Sequence, residues 1–451
     1  MKKQLTGLLA APFLIAVLFI LIRGTALFIN GYDSATVFSH LFTPLQDKLF
    51  WQVTGIVAGG ILLWILRDWI ADNFFAGKEK MKVSLLLLIF LGVIIGAERG
   101  MNWYQKTQDQ QTEYHYEVPQ LSNSAASKAN LFPTDSLVRG ASVFGWERVD
   151  EKSIAQMTDL GINRVALMPF EYQEAADAPE LSYLEALPAL RRKDSTFIEL
   201  IKLCRRQNTE VMLKPHLWIE SAVRVELALE SDADWEKWFD DYAKVTLAHA
   251  RIAQSGGAEI FCIGTELRES VKKQPDRWYQ LIDEIRKIYR GKLTYAANWD
   301  KEYQLIPFWD RLDYIGVQAY FPLKTKGKNT PAALRNALRP HADTLGIYAD
   351  SLGKPVLFTE YGFRSIRNNT AKPWAWPVVF DVFGKIYCEE CQAEAYQVLW
   401  EEMRRRPWFA GGYLWEYDFE EDDGPLPLHR LNFSPRHKKT EKTIKEIYGR
   451  E

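Results

Sequence analysis

Cysteine is scarce in this chain, which has four among 451 residues. A disulfide-rich scaffold is therefore excluded, because such folds depend on several bridges in a short chain. Two of the cysteines, Cys388 and Cys391, form a C-x-x-C motif, but no second pair and no histidine cluster lies nearby to complete a zinc site. A local disulfide between these two is the alternative if this part of the chain is exported.

An excess of charge of one sign is also missing. The 56 Lys and Arg residues nearly balance the 58 Asp and Glu residues, for a formal net charge of -2. This balance argues against nucleic acid as a partner, because nucleic-acid-binding proteins present strongly basic surfaces. Aromatic residues, by contrast, make up 13% of the chain and include 16 tryptophans. Their flat apolar faces suit sugar rings as well as protein cores.

Three long apolar segments occupy the first hundred residues. They are Leu5–Ile22, Phe50–Leu66 and Val83–Ala97, and charged residues bound them. Each is close to the length that crosses a bilayer, although the third, with about 15 residues, needs its flanks to reach the interface. A cleaved signal peptide is the alternative for the first segment, but no small-x-small site follows it. We therefore predict three transmembrane helices within residues 1–101.

The basic residues around these segments predict an orientation in the membrane. Those on one side are Lys2, Lys3, Arg67, Lys78, Lys80 and Lys82, whereas the loop between the first two helices offers Arg23 and Lys48. The positive-inside rule assigns the more basic side to the cytoplasm. Residues 102–136 are polar and interrupted by proline, which is typical of a tether. We therefore expect a multi-pass protein of the cytoplasmic membrane whose C-terminal part lies on the periplasmic or extracellular side.

From residue 137 onwards, short apolar runs alternate with amphipathic segments. Eight runs are predicted to be strands, at 141–144, 163–168, 210–213, 260–263, 293–296, 314–317, 356–358 and 411–414. Each is followed by a helix or helical segment, the weakest at 303–308. Eight such units in about 315 residues are typical of an α/β protein with a (β/α)8 TIM barrel. An open doubly wound sheet is the alternative, but no G-x-G-x-x-G motif follows the first strand to indicate a nucleotide site.

Two of the predicted strands end in the same dipeptide, Thr-Glu. The run Ile260–Ile263 leads to Glu266, and the run Val356–Phe358 leads to Glu360. Ligands bind at the carboxyl ends of the strands of a parallel barrel, so acids placed there indicate chemistry. Glycoside hydrolysis uses such a pair, because one carboxylic acid protonates the leaving oxygen and the other attacks the anomeric carbon or activates water. For either acid alone, a helix-capping or salt-bridged glutamate is the alternative.

Other aromatic and polar residues end predicted strands and would share the rim of the barrel with the two glutamates. They are Trp146, His216, Trp218, Asn298, Trp299, Tyr320 and Trp415. Tryptophan rings stack on pyranose faces, and Asn, His and Tyr side chains bond hydroxyl groups or orient a carboxylate. The alternatives are a core histidine at His216, a packing role for Tyr320 and a plug of the barrel mouth at Trp415.

The motifs resemble those of a known family. The sequences G-T-E-L at Gly264–Leu267, T-E-Y-G-F-R-S at Thr359–Ser365 and A-K-P-W-A-W at Ala371–Trp376 are similar to those of clan A glycoside hydrolases. Within the clan they are closest to glycoside hydrolase family 113, a set of β-mannanases. The clan commonly has Asn before its acid/base glutamate, where this chain has Thr265, but family 113 resembles this chain at that position.

The resemblance implies a retaining β-glycoside hydrolase that cleaves β-1,4-mannan or related oligosaccharides. Glu266 would be the general acid/base and Glu360 the nucleophile, with Tyr320 placed to hydrogen-bond the nucleophile. Carboxyl groups of retaining enzymes lie about 5–5.5 Å apart, which a barrel rim can supply. Trp374 and Trp376 would belong to a loop that forms a sugar subsite. No metal and no organic cofactor is implied.

Two other functions fit the same sequence. Transglycosylation uses the same two carboxyl groups and differs in that a sugar hydroxyl replaces water in the second step. A non-catalytic carbohydrate-binding or envelope-assembly protein is the other alternative, because three membrane helices are more than a simple anchor needs.

Overall fold

The computed structural model describes residues 137–181, 194–220, 224, 227–325, 329–376, 387–419 and 428–449. The three predicted transmembrane helices and the polar tether lie outside these residues. None of the helices within the described ranges is long and apolar enough to span a bilayer.

Ten strands lie in the described part of the chain, and eight of them form a closed parallel barrel. The strands are β1 (Val138–Phe144), β2 (Arg164–Leu167), β3 (Phe170–Gln173), β4 (Glu210–Leu213), β5 (His216–Ile219), β6 (Ile260–Thr265), β7 (Lys292–Asn298), β8 (Ile315–Gln318), β9 (Val356–Tyr361) and β10 (Phe409–Asp418). The barrel runs in the order β1-β10-β9-β8-β7-β6-β4-β2, and β1 pairs with β2 to close it. The prediction of an eight-stranded TIM barrel is thus confirmed. Strands β3 and β5 form a separate two-stranded parallel sheet beyond the carboxyl ends of β2 and β4.

Helices follow the barrel strands, as the alternating pattern predicts. They are α1 (Glu151–Asp159), α2 (Asp194–Arg206), α3 (Asp232–Gly256), α4 (Arg268–Lys273), α5 (Pro275–Ile288), α6 (Glu302–Leu305), α7 (Pro331–Leu352), α8 (Glu389–Met403) and α9 (Lys439–Tyr448). Several begin at a side chain that accepts a hydrogen bond from the first turn, as Asp150, Ser231 and Thr330 do for α1, α3 and α7.

The start of α8 carries the C-x-x-C motif, whose two sulfur atoms form a disulfide between Cys388 and Cys391. The Cys388 sulfur accepts the backbone N–H of Cys391 at the helix N-cap. The backbone N–H of Cys388 in turn donates to the carbonyl of Ser365, which lies shortly after β9. The disulfide therefore lies within the first turn of α8, and the backbone hydrogen bond to Ser365 joins this turn to the chain that leaves the rim of the barrel.

Successive side chains of a strand point to opposite faces of the sheet, so the barrel strands carry apolar side chains in two layers. Inside the barrel lies a small cluster that includes Val138, Met212, Cys262, Leu357 and Tyr413. A much larger cluster lies between the strands and the helices. Because side chains fill the barrel interior, a ligand has to bind at an end of the barrel rather than within it.

Candidate active site

The two glutamates that follow the Thr-Glu pattern both lie at the carboxyl end of the barrel. Glu266 comes directly after β6, and Glu360 is the fifth residue of β9. The Glu360 residue is 3% exposed, so it is buried at the base of the site. The charge of Glu266 acts on Glu360 and contributes to raising its pKa. The structure therefore places the two acids close enough for the charge of one to act on the other.

Hydrogen-bond donors occupy both oxygens of Glu360. The phenol of Tyr320 donates to Oε2 at 2.8 Å. The ammonium group of Lys214, which is fully buried, forms an ion pair with Oε1. Lys214 also donates to Oε1 of Gln318 at 3.0 Å. These bonds orient the carboxylate in a position that has little room for water.

The charge state of this cluster follows from burial and from its neighbours. Burial raises the pKa of Glu360, while the charge and hydrogen bond of Lys214 act in the opposite direction. Burial, together with the adjoining carboxylate, raises the pKa of Tyr320 well above its ordinary value, so its phenol stays protonated and donates. The cluster thus contains one carboxyl group, one ammonium group and one neutral phenol.

His216, at the start of β5, lies near the same oxygen of Glu360 that Lys214 binds. Its Nε2 is 3.5 Å from Oε1 of Glu360. Burial, together with the charges of Lys214 and Arg224, lowers the pKa of His216 well below its ordinary value, so the imidazole is neutral. The ring stacks on Trp415, with centroids 6.0 Å apart and an interplanar angle of 5°. His216 therefore supports the aromatic wall beside the carboxylate and adds no charge to it.

Glu266 has a backbone conformation that is uncommon for a residue with a side chain. Its φ angle is 54°, in the left-handed region. The backbone N–H of Glu266 donates to the carbonyl of Ala296 in β7 at 3.0 Å. The left-handed backbone of Glu266 changes the direction of the chain at the end of β6, so the carboxylate lies at the rim of the barrel.

Two side chains hold the carboxylate of Glu266. Nδ2 of Asn298 donates to Oε1 at 2.7 Å, and Nη2 of Arg224 donates to Oε2 at 3.1 Å. The backbone N–H of Asp300 donates to Oδ1 of Asn298 at 2.9 Å, which settles which end of that amide faces Glu266. The two acids therefore have different partners, one a buried lysine and a phenol, the other an amide and a guanidinium group.

Aromatic side chains surround the acids, and they differ in exposure. Trp218 is 52% exposed and Trp376 is 53% exposed, whereas Trp415 is buried. Trp376 meets Trp415 edge-on with centroids 6.2 Å apart. Trp299 is buried and stacks on the half-buried Trp374 at 5.2 Å. The exposed faces of Trp218 and Trp376 are those on which a sugar ring could stack.

Trp146 has a different environment from the other predicted rim residues. It lies in a short 3-10 helix after β1 and is 7% exposed. Its ring packs on Phe197 of α2, with centroids 4.8 Å apart. This is the packing of a core residue between strand and helix layers, not that of an exposed sugar platform.

The sequence prediction missed the two cations of the site. Lys214 directly follows the apolar strand β4. A charged residue at the end of a buried strand is a signal that could have identified it. Arg224 lies in a stretch without strand or helix pattern, and nothing in its sequence neighbours points to Glu266. Both cations contact an acid from a different segment of the chain, which only the fold brings near.

Known proteins resemble this chain in sequence and in fold. The model of Glycoside Hydrolase Family 113 matches residues 144–425. A solved family 113 β-1,4-mannanase is similar at 24% identity with a TM-score of 0.60, over 70% of this chain and 100% of that chain. A family 113 β-mannanase from Alicyclobacillus acidocaldarius is similar at 24% identity with a TM-score of 0.59, over 71% and 99% of the two chains. No curated protein matches this chain.

Proposed function

Because this chain belongs to glycoside hydrolase family 113, we propose that it is a membrane-anchored retaining enzyme that cleaves β-1,4-mannan or related β-linked oligosaccharides. That it is a glycoside hydrolase follows from the family. The substrate is proposed because the similar solved structures are named as β-mannanases. The observation that carries the mechanism is the pair Glu266 and Glu360, which meet at the carboxyl end of the barrel in two different environments.

In the first step of the proposed mechanism, the carboxylate of Glu360 attacks the anomeric carbon. The bond from that carbon to the leaving oxygen breaks, and Glu266 gives its proton to this oxygen. The Tyr320 phenol and the Lys214 ammonium group hold Glu360 in its attacking orientation. Lys214 also opposes protonation of the buried carboxylate, which must be ionised to attack.

In the second step, water attacks the anomeric carbon of the glycosyl ester. Glu266, now ionised, accepts a proton from this water, and the carboxylate of Glu360 is released. Asn298 and Arg224 bind the two oxygens of Glu266 and so can stabilise its charged form between the steps. The exposed rings of Trp218 and Trp376 are proposed to stack on sugars on either side of the cleaved bond.

The proposed location is the cytoplasmic membrane, with the barrel on its outer side. The apolar segments and the basic residues of the first hundred positions support this placement. The disulfide between Cys388 and Cys391 supports it independently, because disulfides persist in oxidising compartments and are rare in the cytosol.

The first test is hydrolysis by the full-length chain of β-mannan, cellulose, xylan and their oligosaccharides. Glu266→Gln and Glu360→Gln are assayed beside the wild type, and the initial anomer of the product is followed by NMR. We expect β-mannan or its oligosaccharides to be cleaved with retention, and each substitution to lower kcat by about 10²-fold or more. The matched control is Glu284→Gln, which changes an exposed glutamate of α5.

Three outcomes would contradict parts of the proposal. Full activity in both variants would overturn the roles of the two glutamates. Tight oligosaccharide binding with no turnover, unchanged in either variant, would mark the barrel as a binding or assembly module. Transfer to an added acceptor sugar in preference to water would make the enzyme a transglycosylase of the same site.

A further inference from the structure

A third carboxyl group lies buried behind Glu266. It belongs to Glu302, the first residue of the short helix α6, and the residue is fully buried. The phenol of Tyr295 donates to its Oε1 at 2.7 Å, and the backbone N–H of Asn298 donates to its Oε2 at 2.7 Å. Both oxygens therefore accept a hydrogen bond, which is the pattern of a site built for a carboxylate.

Each of these two donors leads on to Glu266. The oxygen of Tyr295 accepts the backbone N–H of Leu267, the residue after Glu266, at 2.7 Å. Asn298 donates its backbone N–H to Glu302, and its side-chain amide donates to the carboxylate of Glu266. Glu302 is thus connected to the backbone beside Glu266 by one route and to its side chain by the other.

The backbone of Glu266 requires such support. A residue other than glycine is strained in the left-handed region and persists there only where its surroundings hold it in place. The φ angle of Glu266 is 54°. Two hydrogen bonds fix the backbone here, one from the N–H of Glu266 to the carbonyl of Ala296 and one from the N–H of Leu267 to the phenol of Tyr295. Without Glu302, Tyr295 would lose the acceptor of its phenol proton.

We propose that Glu302 is a positioning residue that holds Glu266 in the geometry in which it delivers its proton to the leaving oxygen. This inference rests on the proposed function, in which Glu266 is the general acid. Glu302 does not touch the substrate; it acts through Tyr295 and Asn298.

The electrostatics of Glu302 agree with this role. Burial raises the pKa of Glu302 to about 7, and the bonds from Tyr295 and Asn298 oppose that rise. The charge of Glu266 raises the pKa of Glu302 further, while Arg268 in α4 lowers it. The two donors therefore favour the carboxylate form of Glu302, which is the form that accepts both hydrogen bonds.

The test compares Glu302→Gln with the wild type on two substrates of the full-length enzyme. One is a mannooligosaccharide, whose leaving group needs the acid, and the other is a dinitrophenyl β-mannoside, whose leaving group does not. We expect kcat/KM on the oligosaccharide to fall about 10-fold or more, because general acid catalysis is typically worth 10²–10⁴-fold. On the aryl glycoside the fall should be several times smaller.

The ratio of kcat/KM on the two substrates does not depend on how much of the protein is folded. A purely structural role for Glu302 would lower kcat/KM on both substrates equally, which would overturn the inference. Tyr295→Phe provides a second variant that keeps the carboxylate but breaks its route to Leu267. It should show the same dependence on the leaving group, and a wild-type ratio in this variant would also overturn the inference.

Glu266→Gln separates failure of the inference from failure of the proposed function. If this variant loses oligosaccharide cleavage but keeps aryl glycoside cleavage while Glu302→Gln resembles the wild type, the inference alone is wrong. If Glu266→Gln resembles the wild type on both substrates, Glu266 is not the acid and the proposed function is wrong. Glu284→Gln is again the control for a surface glutamate.

Discussion

Lys214 and Glu360 form a buried ion pair at the centre of the site. Removing one partner of such a pair leaves an uncompensated charge, which the protein can avoid by changing its protonation. Burial already raises the pKa of Glu360, and Lys214 is the group that lowers it most. The lysine therefore matters to the charge of the nucleophile as well as to its orientation.

We predict that Lys214→Met moves the acidic limb of the kcat/KM profile to higher pH by about one unit or more. Without the ammonium group, the pKa of Glu360 rises further, so the ionised nucleophile is lost as the pH falls through a higher value. The measurement is kcat/KM on a mannooligosaccharide between pH 4 and pH 9.

Lys272→Met is the matched control, because Lys272 lies on the exposed side of α4 and pairs with Glu269 in the same helix. Its profile should coincide with that of the wild type. An unchanged acidic limb in Lys214→Met would mean that the lysine has no part in setting the charge of Glu360.

At this scale, the residues that could be predicted are those that end strands. Glu266, Asn298, Tyr320 and Glu360 follow or end apolar runs, and the rule that strand ends meet at one rim is enough to group them. Glu302 could not be predicted in this way. It lies one residue before the weakest predicted helical segment, 303–308, and its burial depends on residues of β7 such as Tyr295.

Strand β6 passes close to aromatic rings just before it delivers Glu266. A side chain at Gly264 would place its Cβ 2.7 Å from Trp278 and 2.9 Å from Tyr295. Both distances are shorter than a carbon contact allows, so one of the rings would have to move. Tyr295 is the ring that also connects Leu267 to Glu302.

We predict that Gly264→Ala lowers the free energy of unfolding by about 1–3 kcal/mol, the usual cost of overpacking a core. It should also lower kcat, because displacement of Tyr295 disturbs the backbone that carries Glu266. The measurements are thermal unfolding followed by tryptophan fluorescence and kcat on a mannooligosaccharide.

Gly353→Ala is the comparison for this variant. Gly353 ends α7 with a φ of 61°, and a Cβ there would meet no other atom within 4 Å. Alanine should therefore cost stability through backbone strain and leave kcat unchanged. An equal loss of kcat in both variants would show that Gly264→Ala acts through stability alone.

Among the elements, those with strong periodicity could be predicted closely. The eight barrel strands all overlap their predictions. The small sheet of β3 and β5 was missed, because each strand has four residues and begins just after a proline. Helix α4 was missed because six residues are too few to establish a period.

For the whole chain, we predict that the protein stays in the membrane fraction after washing with high salt and alkaline carbonate. A protease added to the outside of intact membranes should reach the barrel. The basic residues that flank the apolar segments assign the opposite side of the membrane to the cytoplasm. Cys388 and Cys391 should react with a maleimide only after reduction, since they form a disulfide in the structure.

A cytoplasmic protein of the same cells is the control for membrane integrity and should stay uncut. Release of the chain by carbonate would contradict the membrane anchor. Protection of the barrel from the protease until the membranes are permeabilised would reverse the predicted orientation.

The closure of the barrel by β1 and β10 has a practical consequence for handling the domain. Strand β1 starts at Val138 at the end of the barrel opposite the rim, and α9 finishes nearby, where Lys445 reaches Asp159 and Tyr448 packs on Gly161 before β2. Both ends of the domain thus leave from the face remote from Glu266 and Glu360. A fusion partner, an affinity tag or a solid support attached at either end would leave the mouth of the barrel open to a long polymeric glycan.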